Sequence, residues 1–331
     1  MMHAKTEPIR WGILGCSRVA QNRWIPAIRA ASLGQVAAIA SRQLPKAKKW
    51  AHNLHIPRAF GSYRELLDDP EIDAVFVGLP NSLHAQWTRD ALDARKHVLC
   101  DKPLALNAGQ GAELANAAEK NRQLLLEGFI PLFHRQFRVI DQWLDEGRIG
   151  SLRCIRIAFS FLLDRPDDFR NDPNLGGGAL LDLGCYCVHV IRHLARAPVR
   201  RVRAFARPLP TGADATTFAV LECDNDVTAS LDCSFEYRGD QFLHIAGTQG
   251  RIIADRPVRP IPGSRLILET ADDRTVETLE PIDQYAACVE HFHHLLLADL
   301  CIPSPARDSV QTLAILDAIA HAAATDATVT L

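Results

Sequence analysis

The chain has 331 residues, 47% of them hydrophobic and 23% charged, with a formal net charge of -2. That length exceeds what one hydrophobic core usually serves, so two domains are expected. A near-neutral chain with no long run of either sign gives no electrostatic case for nucleic acid or an anionic membrane as partner. Residues 1–8 hold no apolar stretch to act as a signal, and no later run approaches membrane-spanning length, so a cytoplasmic protein is expected. Nine cysteines, an odd number at irregular spacing, read as buried thiols of a reducing compartment.

Short apolar runs alternate with helical patterns over the first third: Ile9 to Leu14, Gln35 to Ala40, Arg58 to Phe60, Ile72 to Leu79, His97 to Cys100 and Leu124 to Gly128. This βαβ rhythm predicts a parallel sheet. Ala74-Val75-Phe76-Val77 is apolar throughout, as a strand covered on both faces should be. Helix starts are marked by Pro45 in a first turn, by the capping box Ser62-x-x-Glu65, and by Ser82 ahead of Leu83 to Ala94.

The first strand runs into Gly15-Cys16-Ser17-Arg18-Val19-Ala20. As a variant of G-x-G-x-x-G/A, it has Gly15 for the tight turn, Ser17 at the second glycine position and Ala20 where helix and strand pack closely. The helix start that follows would offer N–H groups to a pyrophosphate. At the end of the second strand an NAD site usually carries an acid, but here stand Ser41 and Arg42, with Lys46 a turn further. A hydroxyl and a guanidinium suit a 2′-phosphate, so NADP(H) is the expected cofactor. Tyr63 is grouped with that end. The fourth and fifth strands end in Leu79, Asn81 and His84 and in Asp101-Lys102-Pro103, which should share one ligand mouth.

After about residue 128 the rhythm changes. A helix from about Phe133 to Glu146 leads to a strand, Cys154 to Phe161, in which apolar and polar residues alternate. Further strands fit Val199 to Ala206, Thr217 to Cys223, Val227 to Phe235 and Gln241 to Ala246, with Asp224-Asn225 as a tight hairpin turn. Gln284 to Asp299 and Ser309 to Ala324 read as closing helices. The fold expected is α/β: a Rossmann domain over 1–127 and, over 128–331, an α/β domain with an open, mostly antiparallel sheet. Cys185-x-Cys187-x-His189 with His193 has the residue types of a zinc site, but these positions turn around a helix, so no metal is expected.

Chemistry concentrates in two places. Lys102 is a lysine at the mouth of a buried strand. Gly176-Gly177-Gly178 precedes Asp182 and Tyr186, an acid and a phenol four apart on one helix face. Lys102 is the first candidate for proton donor, since burial disfavours its ammonium form. Tyr186 is the second, because a nearby ammonium would stabilise its phenolate. The residues leave that choice open. Asp182 could hold Lys102 or a sugar hydroxyl. Arg165 and Arg170 are the basic residues placed to reach a substrate diphosphate, and Phe235 and Tyr285 could wall a sugar or base pocket.

With these motifs in order, the chain resembles the Gfo/Idh/MocA oxidoreductases over nearly its whole length. The family's Glu-Lys-Pro corresponds to Asp101-Lys102-Pro103, and its helix motif to Asp182 and Tyr186. The opening from Leu14 to Ala20, then Arg23 and Ile25-Pro26-Ala27, is similar to the NDP-sugar 3-ketoreductases of deoxysugar biosynthesis, as is Glu127 to His134. The resemblance implies NADPH-dependent reduction of a keto-sugar, most closely the 3-ketone of a dTDP-4-keto-6-deoxyhexose, by a homodimer or homotetramer. The alternative it implies is an NADP-dependent aldose 1-dehydrogenase or trans-dihydrodiol dehydrogenase. A non-catalytic cofactor-sensing subunit is disfavoured by the presence of Lys102, Asp182 and Tyr186 together.

Overall fold

The computed structural model describes residues 7–239, 241–280 and 282–331. Residues 1–6, part of the segment read above as lacking a signal, lie outside the described residues. The chain divides into two compact units: Met1–Phe129 with Asp283–Gln311, and Ile130–Ile282 with Thr312–Leu331. The later segment carries an α-helix back to the first unit, a return that a single boundary near residue 128 does not convey.

The first unit holds β1 (Ile9–Leu14), α1 (Ile25–Ala30), β2 (Gly34–Ala40), α2 (Leu44–Asn53), β3 (Arg58–Phe60), α3 (Tyr63–Leu67), β4 (Ala74–Val77), α4 (His84–Asp93), β5 (His97–Cys100), α5 (Ala108–Asn121) and β6 (Leu125–Glu127). The six strands form a parallel sheet in the order β3-β2-β1-β4-β5-β6. The order reverses between β1 and β4, and at such a switch point the carboxyl ends of strands open a crevice for ligands. β4 is buried at every position, as its uniform apolarity requires. Pro45 stands in the first turn of α2, and the Ser62 hydroxyl accepts the Glu65 N–H at 3.1 Å. Ser82 does not cap α4; the chain enters that helix through a 3₁₀ turn, Asn81–Leu83, with no side-chain cap.

The second unit begins with α6 (Arg135–Asp145) and β7 (Leu152–Ser160), followed by α7 (Cys185–Ala195). Then come β8 (Val199–Pro208), β9 (Asp214–Cys223), β10 (Thr228–Ser234), β11 (Gln241–Gly247), β12 (Gly250–Ala254), β13 (Arg265–Thr270) and β14 (Arg274–Thr278). The chain closes with α8 (Gln284–Leu297), α9 (Ala306–Thr325) and β15 (Val329–Thr330). The sheet has nine strands, β14-β13-β12-β11-β7-β10-β9-β8-β15, antiparallel except where β10 runs parallel to β7. The hairpin between β9 and β10 needs three residues rather than the two expected: Asp226 takes a left-handed φ of 60°, and the Cys223 N–H reaches Val227 O at 2.9 Å.

One run is longer than the sequence reading allowed. Pro173–Ala195, with a mean hydropathy of 1.2, is long and apolar enough to cross a membrane by length and composition. Yet 78% of that apolar window is buried inside the protein, so its apolarity serves the core. Cys185 and Cys187 are buried thiols on this helix, while His193 turns to Asp141 at 2.9 Å.

Candidate active site

In the first unit β1 ends at Gly15, whose φ of 99° favours glycine, and a Cβ built there would lie 2.6 Å from Leu79 Cδ2 and 2.9 Å from Gly78 O. Gly15 thus lets the end of β1 lie against the end of β4, at the switch point. The Ser17 hydroxyl accepts the Ala20 N–H at 3.3 Å. There the helix begins with a π-wound turn, Ala20–Trp24, before α1, and it has no acid in that turn. Arg18 is exposed and Val19 half-buried at this rim.

The residues assigned to the 2′-phosphate end do come together. The Cys16 thiol is pushed up by burial, and pulled down by the Lys46 charge and the Ser41 hydroxyl. The Tyr63 phenol is pushed up by burial and pulled down by Arg42. Ser41 is buried while Arg42 and Lys46 are exposed. The end of β2 therefore places two exposed cations beside a buried hydroxyl, with no acid at the strand's end, a donor set that suits a dinucleotide bearing a 2′-phosphate.

At the ends of β4 and β5 the arrangement is tighter. His84 is 1% exposed, with Nδ1 2.7 Å from Pro103 O and Nε2 2.8 Å from Leu79 O. Burial pushes its pKa down, while the Pro103 and Leu79 carbonyls and the Asp101 charge pull it up. His84 ties the Leu79 turn to the Lys102 turn. Lys102 is 9% exposed. The Asp101 carboxylate accepts the Lys102 N–H at 3.1 Å, and Asn81 is buried beside the same turn of chain as Leu79. Tyr285, on α8, meets Trp24 edge-on with centroids 4.9 Å apart, and Arg23 lies 6.0 Å from its ring centre.

In the second unit the glycines have a definite task. Gly177 and Gly178 bring the backbone against Arg170 O, and a Cβ on Gly178, at φ 113°, would stand 2.1 Å from Asp214 Oδ1. Asp214 accepts the Leu180 N–H at 2.8 Å and the Thr217 hydroxyl at 2.8 Å. Leu180–Gly184 is a second π-wound turn, and it leads into α7. Asp182 and Tyr186, each 3% exposed, are fixed by that turn. Arg170 donates to Asp182 Oδ2 at 2.7 Å and to Asp168 Oδ1 at 3.1 Å. Burial works against its charge, but Asp182 and Asp168 outweigh this and raise its pKa. Arg165 is exposed and pairs with Asp168 at 3.4 Å. The Tyr186 ring packs on Phe159, centroids 5.7 Å apart, and Phe235 is buried against Phe161 at 5.2 Å.

Sequence reasoning did not find Asp214, Asp168 or Glu127. The first two act through distant or loop partners and carry no local pattern. Glu127 did leave a trace, as an acid closing an apolar strand run.

A Rossmann sheet with a glycine turn at its switch point, joined to a unit that buries an acid and a phenol on one helix, defines a dinucleotide-linked oxidoreductase. Residues 9–129 match the oxidoreductase family with NAD-binding Rossmann fold, and residues 137–253 match the GFO/IDH/MocA C-terminal domain. The chain belongs to the Gfo/Idh/MocA family.

A D-xylose 1-dehydrogenase (NADP(+)) of Haloferax volcanii is 36% identical over 97% of this chain and 99% of its own. A dTDP-3,4-didehydro-2,6-dideoxy-alpha-D-glucose 3-reductase of Saccharopolyspora spinosa is 32% identical over 96% and 98%. Among solved structures, the 3-ketoreductase KijD10 of Actinomadura kijaniata, in complex with NADP and TDP-benzene, matches with a TM-score of 0.90. Its identity is 32%, over 96% of this chain and 98% of its own.

Proposed function

We propose that this protein is an NADP(H)-dependent reductase of a keto-sugar, acting at C-3 of a dTDP-linked 4-keto-6-deoxyhexose intermediate. The observation that carries the cofactor choice is the end of β2, where Ser41, Arg42 and Lys46 stand in place of an acid. The substrate class rests on the likeness to the 3-reductase and to the 3-ketoreductase that holds NADP and TDP-benzene.

Bound NADPH would supply the hydride. Gly15, Cys16, Ser17, Arg18 and Val19 would hold its pyrophosphate, Ser41, Arg42, Lys46 and Tyr63 its 2′-phosphate end. Leu79, Asn81, His84, Asp101 and Lys102 would line its inner rim. Lys102 Nζ and Tyr186 Oη are the groups assigned to protonate the developing alkoxide. Either contributes by general acid catalysis, worth about 10²- to 10⁴-fold. Asp182, held by Arg170, orients the sugar hydroxyls. That pairing spends the Arg170 charge on Asp182, which leaves the exposed Arg165 as the better placed cation for a diphosphate. The exposed Phe205, Phe218, Val220 and Phe242 lie on the nine-stranded sheet, and pairing of that sheet would give the homodimer or homotetramer.

A second reading, an NADP-dependent aldose 1-dehydrogenase, is favoured by the 36% identity to the xylose enzyme. The experiment mixes protein and NADPH with enzymatically generated dTDP-3,4-diketo-2,6-dideoxyhexose and follows the loss of NADPH absorbance. Prompt consumption supports the reductase; inertness there with NADP reduction by D-xylose moves the protein to the second reading.

A further inference from the structure

The acid at the end of β6 is the least expected buried group in the first unit. Glu127 is 5% exposed, and it pairs in register with Cys100, the last residue of β5. Its Oε1 accepts the Leu104 N–H at 2.6 Å, and the Gly128 N–H reaches Cys100 O at 2.8 Å. Asp101-Lys102-Pro103 therefore spans from the residue that faces Glu127 across the sheet to the residue whose amide Glu127 holds. Its Oε2 is buried without a hydrogen-bond partner among the described residues. A buried carboxyl oxygen left in this state is costly unless a charge stands nearby.

The groups that face it come from two directions. Lys102 and Cys100 lie on β5 and its turn, and Asp308 and Ser309 at the start of α9. Burial pushes Glu127 up to about 7. The Leu104 N–H holds it back, as does the Ser309 hydroxyl, which stands near the carboxyl without completing a hydrogen bond to Oε2; Asp308 raises it further, and the Lys102 charge lowers it.

Resting on the reading of Lys102 as proton donor, we propose that Glu127 is a positioning residue for Lys102. Its carboxylate holds the far end of the turn that carries the lysine, at the Leu104 amide, and its negative charge favours the lysine's ammonium form. A carboxylate that ionises near neutrality makes this help conditional: above the transition its charge favours the donor's ammonium form, below it that negative charge is gone.

Glu127→Gln keeps the volume and the carbonyl that accepts the Leu104 N–H, and removes only the charge. The Lys102 side chain is followed by NMR of ¹³C-methylated lysines across pH, with Lys102→Ala to identify its signal and no substrate present. In Glu127→Gln the Lys102 signal should lose its proton about one pH unit lower than in the parent. The kcat profile should lose its inflection near neutral pH, with KM changed less than about threefold. A folded Glu127→Gln protein with an unchanged Lys102 titration and a superimposable profile overturns the proposal. If that variant does not fold, Asp308→Asn decides. It leaves Glu127 in place, and the neutral inflection in the Lys102 signal must move to lower pH; an unmoved inflection overturns the proposal. Because the titration needs no substrate, inertness of the parent toward every sugar would defeat the functional reading while leaving this test intact.

Discussion

The helix that follows Gly15 and the helix that follows Gly178 open alike, each on a π-wound turn, yet they are fastened in opposite ways. The first is held by a neutral hydroxyl three residues away, Ser17, and carries no acid in its opening turn. The second is held by the half-buried Asp214, reaching in from a strand 34 residues along the chain, and carries Asp182 in the turn itself. A helix N-terminus left without carboxylates keeps its partial positive charge for an incoming anion; one already faced by carboxylates has none to offer. One turn leaves its N–H groups to an incoming anion, as the proposed cofactor site requires; the other holds two side chains still. π turns are uncommon and gather at functional sites, which accords with both.

Four experiments press on that contrast. Lys102→Ala should lower kcat about 10³-fold if the turn beside the first helix supplies the proton, and an effect below about tenfold would hand that task to Tyr186. The next largest effect is on stability. Glu127 rises from 4.5 to about 7 on folding, so the folded protein binds that proton more tightly. Stability is then full below pH 4.5, falls as pH rises through 7 and is level above, a loss of about 3 kcal/mol. Urea unfolding at pH 5 and pH 8 should show that loss in the parent and not in Glu127→Gln.

Third, Asp214→Ala should destabilise by about 2 kcal/mol and depress kcat, whereas Ser17→Ala should cost about 0.5 to 1 kcal/mol. Equal costs would erase the distinction between the two helix starts. The smallest change is expected from Arg42→Ala, which should weaken NADPH binding about tenfold and leave NADH binding nearly untouched. Calorimetric titration of both nucleotides checks it.

Much of the first unit was legible because its signals are local. A strand covered on both faces must be apolar throughout, and a tight turn with positive φ favours glycine, so β4 and Gly15 announce themselves. The second sheet was legible only in its middle. β7 alternates at Ile155, Arg156 and Ile157, but from Ile157 to Ser160 every residue is buried, and the strands β12, β13 and β14 that run out to one edge were not read at all. Short strands whose outer face is polar carry too few apolar residues for a period to show.

The sequence by itself determined the α/β class, the glycine turn, the cationic end of β2 and the presence of Lys102, Asp182 and Tyr186, because each depends on residue type and near spacing. Only the tertiary structure decided what those groups touch. It set Arg170 on Asp182, put Asp214 over the start of the Tyr186 helix, closed His84 between two backbone carbonyls and buried Glu127 against the Leu104 amide. The reason is physical: a buried charge or hydrogen-bond donor must be matched by whatever the fold brings within about 3 Å, and that partner can come from anywhere in the chain.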